Sequence, residues 1–343
     1  MPMMPMMPMM RMMRIGLLTS GGDAPGMNAA IRAVVRQADA LGSEVIGIRH
    51  GFQGLVNQDW KPLTSRACAN ILQRGGTILH TARCEAFYDP AVRAKAAADL
   101  RAAGIEALVI IGGDGSFTGA ELFHRFNGIK CAGIPGTIDN DLPGTERTLG
   151  FDTALNTAVE AIDRIRDTAS SHERLFLVEV MGRRSGMLAV HTAIACGAEA
   201  VLYPESEEDN YEALVLQLKS NWDRGKLSSI VVVAEGDQSA GASNLMGGGA
   251  AFSIGERLKK EHNLDLRVVV LGHIQRGGSP SAMDRIWGSR WGCEAVNRLS
   301  AGEGAFYLGT DAGQMVARPL SYVLKSRPEP PKELSALVPV LSR

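Results

Sequence analysis

Apolar residues along this chain alternate between two patterns. Short, nearly unbroken runs, RIGLLTS at 14–20, EVIGIR at 44–49 and ALVIIGG at 107–113, have the length and branched-aliphatic content of buried strands. Between them, MNAAIRAVVRQADAL at 27–41 repeats its apolar residues at helical spacing and has Gly42 just past its end, where a C-cap belongs. PAVRAKAAADLRAAG at 90–104 is an Ala-rich helix with Pro in its first turn and Gly closing it. The second half repeats the alternation. Its longest amphipathic helix is predicted at 151–169, and strands are predicted at 174–181, 228–236 and 266–272 with helical stretches between them. Such alternation predicts an α/β fold of mainly parallel sheets covered by helices on both faces. Ligands of these sheets bind at the carboxyl ends of the strands, so functional residues are expected just after each strand.

With 343 residues the chain can form two compact domains or one large one. The expected seam lies near Gly150, after loops rich in Gly, Pro and Asp. The Met- and Pro-rich start has no sustained apolar stretch and no small-residue cleavage site, and is expected to be a disordered extension or a mis-assigned start. The Pro-rich tail at 327–343 is expected to hold little fixed structure. Composition narrows the function. The 36 basic residues are balanced by 37 acidic ones, which gives no reason to expect nucleic-acid binding, so any anionic ligand must be held by local clusters of cations. The five cysteines are odd in number and contain no CxxC pair, which argues against a disulfide framework or zinc site and for a reducing cytosol. No apolar run is long enough to span a bilayer.

Candidate chemistry sits at the strand ends. GGDAPG at 21–26 and GGDGS at 112–116 each lead from a strand into a helix, where glycines and free N–H groups favour phosphate. Tight turns alone also use Gly-Gly, and neither loop matches GxxxxGK[ST] or GxGxxG. In PGTIDNDLPGT at 135–145, Asp139 and Asp141 would share one side of an extended segment. Their repulsion would raise the pKa of at least one and suit it to accept a proton; alternatively one binds a metal while the other acts as base, or the segment is a solvated turn. Arg183 and Arg184 follow one predicted strand, and His273 and Arg276 another, an arrangement suited to one anion site.

Taken in order and spacing, GGDAPGMNAAIR, GGDGS, PGTIDND, SSHER, VEVMGR and LGHIQRGGSP closely resemble the phosphofructokinase family, over about residues 14–304. The resemblance implies two doubly wound domains with the active site in the cleft between them. The ATP and Mg²⁺ domain would comprise 14–149 and about 275–325; the sugar-phosphate domain would comprise 150–274 and the C-terminal segment; 1–13 would be the extension. The implied reaction moves the γ-phosphate of ATP onto the C1 hydroxyl of fructose 6-phosphate by direct in-line transfer.

The same resemblance implies the roles. Asp139 is the base, Asp141 its acidic neighbour, and Thr137 touches the reacting phosphoryl group. Asp114 serves Mg²⁺. Gly22, Arg83 and Arg183 stabilise the transferred charge, and ATP lies around Gly113, Gly115 and Ser116. His273 and Arg276 take the sugar 6-phosphate, with Glu235, Met181 and Gly182 around the ring. Arg174 and Arg267 match arginines that reach into a neighbouring subunit's site, so a homotetramer with shared active sites is implied. Pyrophosphate-using members tend to carry Asp where this chain has Gly115 and Lys where it has Gly136, which favours ATP.

Arg32, Arg36, Arg166, Arg224, Lys226 and Glu199 match the effector site of the bacterial enzymes, with Glu199 as a ligand of effector-bound Mg²⁺. Ser65, Leu227, Phe52 and Tyr88 depart from the family pattern. The rival readings are a pyrophosphate-dependent member and a non-catalytic metabolite-sensing paralogue. A lipid or NAD kinase would account for GGDG but not for PGTIDND.

Overall fold

In the computed structural model the described residues are 12–206, 210–236 and 249–342. The expected extension at 1–13 lies outside them except for its last two residues. Met13 is buried; its N–H donates to Ser43 Oγ (3.1 Å) and its carbonyl accepts from the Glu44 N–H (3.0 Å).

The chain begins with β1 (Arg14–Thr19), α1 (Met27–Ala40), β2 (Glu44–Ile48), α2 (Gly51–Asn57), β3 (Trp60–Pro62) and α3 (Pro90–Ala102). It continues through β4 (Ala107–Gly112), α4 (Asp114–Asn127), β5 (Lys130–Thr137), β6 (Leu149–Gly150), α5 (Phe151–His172) and β7 (Leu175–Val180). Then come α6 (Met187–Ala195), β8 (Ala200–Leu202), α7 (Asn210–Asp223), β9 (Ser229–Ala234), α8 (Ala250–His262) and β10 (Leu266–Val270). The last elements are α9 (Ala282–Ser300), β11 (Phe306–Asp311), β12 (Gln314–Pro319) and α10 (Lys332–Leu341).

Two compact units result. The first takes the described residues up to Thr137, Leu142–Asp152 and Arg276–Arg327; the second takes Ile138–Asp141, Thr153–Gln275 and the chain from Pro328 onward. In the first unit the strand order is β12-β11-β5-β4-β1-β2-β3, with β6 added beside β5. The pairs β2–β1–β4–β5–β11 are parallel, and β3 and β12 join antiparallel at the two edges. Side chains alternate across this sheet. Leu18, Leu108 and Ile110 pack with Phe52, Leu100, Phe117 and Phe123 from α2, α3 and α4. Helices α1 and α9 pack together and α9 lies on β5, so both faces are covered. The α1–α9 contact is close: a Cβ at Gly292 would sit 2.6 Å from the Ala33 Cβ, too near for any larger residue.

In the second unit the order is β10-β7-β9-β8, all parallel. Leu177, Val231 and Val233 meet Tyr211, Leu214, Ile254 and Leu258 of α7 and α8, while α6 packs on β8 and β9. The α/β class expected from the apolar pattern is therefore what the chain adopts, and the strands read as apolar runs match their positions to within about two residues.

The tail departs from expectation. Instead of remaining irregular, Lys332–Leu341 forms a helix despite Pro339 within it. Val338 is buried, Gln217 Nε2 donates to Ser342 Oγ (2.7 Å), and Lys226 Nζ donates to the Ser342 carbonyl (2.9 Å). Tertiary packing thus outweighs the cost of the proline, which local composition had made to look decisive.

Candidate active site

In the first unit the site is made chiefly of backbone. Because β1 and β4 are parallel neighbours, their carboxyl ends lie side by side, and Ser20 N–H extends the ladder to the Ile111 carbonyl (2.9 Å). The two glycine-rich turns therefore meet. A Cβ at Gly112 would lie 2.6 Å from both Ser116 Oγ and the Ser20 carbonyl, and one at Gly21 would lie 3.5 Å from the same Ser116 oxygen. Gly21 has φ +85° and Gly26 has φ +100°, conformations glycine adopts without strain. Helices α1 and α4 start from Gly26 and Gly113 without a side-chain cap, leaving their N-termini open to an anion.

The other expected phosphate residues lie around these turns. Thr137 ends β5 next to Gly113, and its carbonyl accepts from Thr148 Oγ1 (2.6 Å). Arg276 Nη1 donates to the Asp23 carbonyl (3.2 Å), and its guanidinium fills the space where a Gly22 side chain would stand. Asp114 is the first residue of α4, partly exposed, and pairs with Arg327 Nη2 at 2.9 Å. Space around Gly115 is open: apart from its chain neighbours and its own helix backbone, no atom lies within 4 Å of a Cβ placed there. By contrast, a Cβ at Gly136 would lie 3.0 Å from Met27 Cε and 3.1 Å from Ile111 Cγ2. Arg83 is exposed; its loop is tied to the first turn by Thr81 Oγ1, which donates to the Gly21 carbonyl (2.6 Å).

One positioning residue escaped the sequence reading. Asn28, fully buried on α1, donates to the carbonyls of Arg74 and Gly75 and accepts from the Ile78 N–H (3.0, 3.1 and 2.9 Å). It fixes the start of the loop that carries Arg83. A polar residue on the apolar face of a predicted helix was the signal.

In the second unit the site is built from charged side chains. Asp139 is 3% exposed, and Arg183 Nε lies 3.8 Å from its Oδ2. Asp141 is also buried, but Asn140 between them has φ +48°. The extended segment that would have put the two carboxylates on one side by alternation is therefore not present; the asparagine takes the left-handed conformation it tolerates well.

Strands β7 and β9 run in register with Val180 opposite Ala234, so the turns that follow are neighbours. Glu235 N–H donates to the Val180 carbonyl (3.0 Å), and its Oε1 accepts from the Arg183 N–H (2.7 Å). Gly182 has φ +146° and Arg183 φ +55°, a strained value for arginine that this bond helps to hold. Met181, the first residue after β7, is buried, and His273 is exposed in the short helical turn after β10.

Beside them, Glu179 was not anticipated. Burial holds its carboxyl above the usual range and Glu235 adds to this, while the bond from Ala251 N–H (2.9 Å) opposes it. Gly249 lies against it so closely that a Cβ there would overlap the carboxylate.

Arg174 and Arg267 both reach Asp265, Arg174 Nε at 3.7 Å from one oxygen and Arg267 Nη1 at 2.6 Å from the other. The expected effector residues fall into two groups. Arg32 and Arg36 lie on α1 in the first unit, near Cys68, whose thiol burial pushes up to about 11 despite both cations. In the second unit, Lys226 Nζ (2.7 Å) and Arg166 Nη1 (3.8 Å) flank Glu199, which is 1% exposed and also accepts from the Ile230 N–H (2.5 Å). Arg224 donates to Asn221 Oδ1. Among the described residues no group of three or more His, Cys, Asp or Glu could hold a metal, and no helix is long and apolar enough to cross a membrane.

Known proteins place this architecture. The phosphofructokinase family model matches residues 14–299. The chain is 54% identical over 328 residues to ATP-dependent 6-phosphofructokinase 1 of Thermus thermophilus, covering 96% of this chain and 99% of that protein. It is 49% identical over 328 residues to the ATP-dependent 6-phosphofructokinase of Bacillus thuringiensis, with the same coverage. Phosphofructokinase of Pichia pastoris in the T-state superposes with a TM-score of 0.83 at 34% identity, covering 97% of this chain and 37% of that longer one. A pyrophosphate-dependent phosphofructokinase from Marinobacter aquaeolei superposes at 0.80 with 22% identity, covering 94% of this chain and 86% of that one, a likeness of fold alone. From the strand-end motifs, the α/β architecture and a match over most of its length, this chain belongs to the phosphofructokinase family.

Proposed function

We propose that this protein is an ATP-dependent 6-phosphofructokinase, which phosphorylates fructose 6-phosphate at its C1 hydroxyl to give fructose 1,6-bisphosphate and ADP in glycolysis. The observation that carries the reading is 54% identity over 96% of the chain to an enzyme of that name. In this reading Asp139 takes the proton of the C1 hydroxyl as that oxygen attacks the γ-phosphorus, with Asp141 as its acidic neighbour. Arg183, beside Asp139, offsets charge on the transferred group together with Arg83, the Gly22 N–H and Thr137. His273, Arg276, Glu235, Met181 and Gly182 bind the sugar phosphate.

Asp114 suits Mg²⁺, which is usually bound through one or two carboxylates together with substrate phosphates. Its carboxylate is partly exposed at a helix start beside the open space at Gly115, and Arg327 must yield it. Bound there, Mg²⁺ would offset phosphate charge. The open space at Gly115 also favours ATP over pyrophosphate as donor, since no side chain competes for it. A homotetramer with shared sites and an effector site from the six residues above belong to the same reading. The five free cysteines agree with a cytoplasmic location.

Asp139→Asn tests the assignment. It should lower kcat by roughly 10²–10⁴-fold while fructose 6-phosphate binding, measured by calorimetry, changes little. A near-normal kcat would remove Asp139 as the base.

A further inference from the structure

We propose that Asp265 is a positioning residue for sugar-phosphate binding: its carboxylate holds Arg174 and Arg267 side by side as a two-cation receptor for a phosphate monoester. This rests on the reading above of shared active sites, in which Arg174 and Arg267 reach into a neighbouring subunit's site, and takes the sugar phosphate as what they meet there.

The backbone brings the three residues together. Leu266 of β10 pairs with Leu175 of β7, so Asp265 and Arg174 stand at the entrances of neighbouring parallel strands, and Arg267 is the next residue but one along β10. The Arg174 backbone is fixed on both sides, its N–H donating to the Ala169 carbonyl and its carbonyl accepting from the Ser229 N–H (3.2 Å each). Arg267 is anchored a second time by a bond from Nη1 to the Leu266 carbonyl (3.0 Å). Left alone, two guanidinium groups so placed would repel and swing apart, because their stems are long and the site is open to water.

Asp265 counters this by giving one oxygen to each. A guanidinium carries five N–H donors, and the contact to Asp265 engages one nitrogen of each arginine, so other donors remain to bind a third party. A dianionic phosphate has the oxygens to accept them. Exposed ion pairs contribute little to stability, so the effect is expected in affinity and not in folding.

The test is steady-state kinetics with fructose 6-phosphate varied, on the intact protein and on Asp265→Asn, Asp265→Glu, Arg174→Ala and Arg267→Ala. Asp265→Asn should raise KM roughly two- to fivefold, the range of one exposed charge contact, with kcat and Tm unchanged. Asp265→Glu should restore most of the affinity. In the double variant Asp265→Asn/Arg267→Ala the two effects should fall short of adding, since both remove one contact. If the arginine variants raise KM while Asp265→Asn leaves it unmoved or lowers it, the positioning role is wrong and the carboxylate is at most a competitor of the substrate. A loss of Tm and kcat together would make Asp265 structural and overturn the proposal. If the arginine variants themselves leave KM unmoved, the underlying assignment of those arginines fails instead.

Discussion

At the strand ends of the first unit stand mostly glycines, whereas at those of the second stand long charged side chains and buried carboxylates. The first unit receives anions with turns so close that Gly112 could not carry even a methyl group without overlapping Ser116 and Ser20. The second unit holds Asp139, Arg183 and Glu235 by mutual charge and hydrogen bonding, and tolerates a strained φ of +55° at Arg183 as part of that network. Substitutions should therefore fail for different reasons in the two places. In the first they fail through lost space, and in the second through lost or misplaced charge.

Gly136→Lys and Gly115→Asp break this rule or sharpen it most strongly. At Gly136 the new Cβ meets Met27 and Ile111 at 3.0 and 3.1 Å, so lysine should destabilise the fold by about 1–3 kcal/mol in chemical denaturation. At Gly115 nothing stands within 4 Å, and aspartate should leave stability within about 0.5 kcal/mol. Its charge would instead weaken ATP binding, on the order of tenfold by calorimetry, an effect typical of one misplaced charge in a phosphate site. Equal stability in the two variants would show that the packing around Gly136 does not limit it.

A smaller effect is expected at Glu179. Burial raises its folded pKa above the ordinary 4.5, so its contribution to stability is fully present below 4.5 and is lost as pH rises through the folded value. Glu179→Gln keeps an acceptor for the Ala251 N–H and removes the titration. The Tm of the variant relative to the unaltered protein should therefore be higher at pH 8 than at pH 4. A difference that does not vary with pH would mean that Glu179 carries no burial cost.

The same contrast separates what is legible in the sequence from what is not. Strands buried on both faces are apolar runs, so β1, β4, β7 and β9 stand out in the sequence as unbroken apolar segments, as α1, α3 and α5 do by their helical spacing. β5 was harder to see, because KCAGIPGT carries a proline and two glycines and owes its strand geometry to pairing with β4 and β11. The β11–β12 hairpin and α10 likewise depend on partners distant in sequence.

The glycine turns were legible because their chemistry is local. The partnerships of charged residues were not. Nothing near Asp114 in sequence announces Arg327, and the link between Arg174 and Asp265 appears only when β7 and β10 pair. Asp139 and Asp141 show the limit of local reasoning most clearly: their spacing was plain, but one left-handed asparagine changed what that spacing meant.

The most direct test of the central claim is turnover by the purified protein with fructose 6-phosphate and Mg²⁺, comparing ATP with pyrophosphate as donor. Formation of fructose 1,6-bisphosphate with ATP, and none above background with pyrophosphate, is the result expected from the open space at Gly115 and the likeness to ATP-dependent enzymes. Product with pyrophosphate alone would keep the family and contradict the donor. Binding of the sugar phosphate without turnover from either donor would contradict the catalytic reading itself.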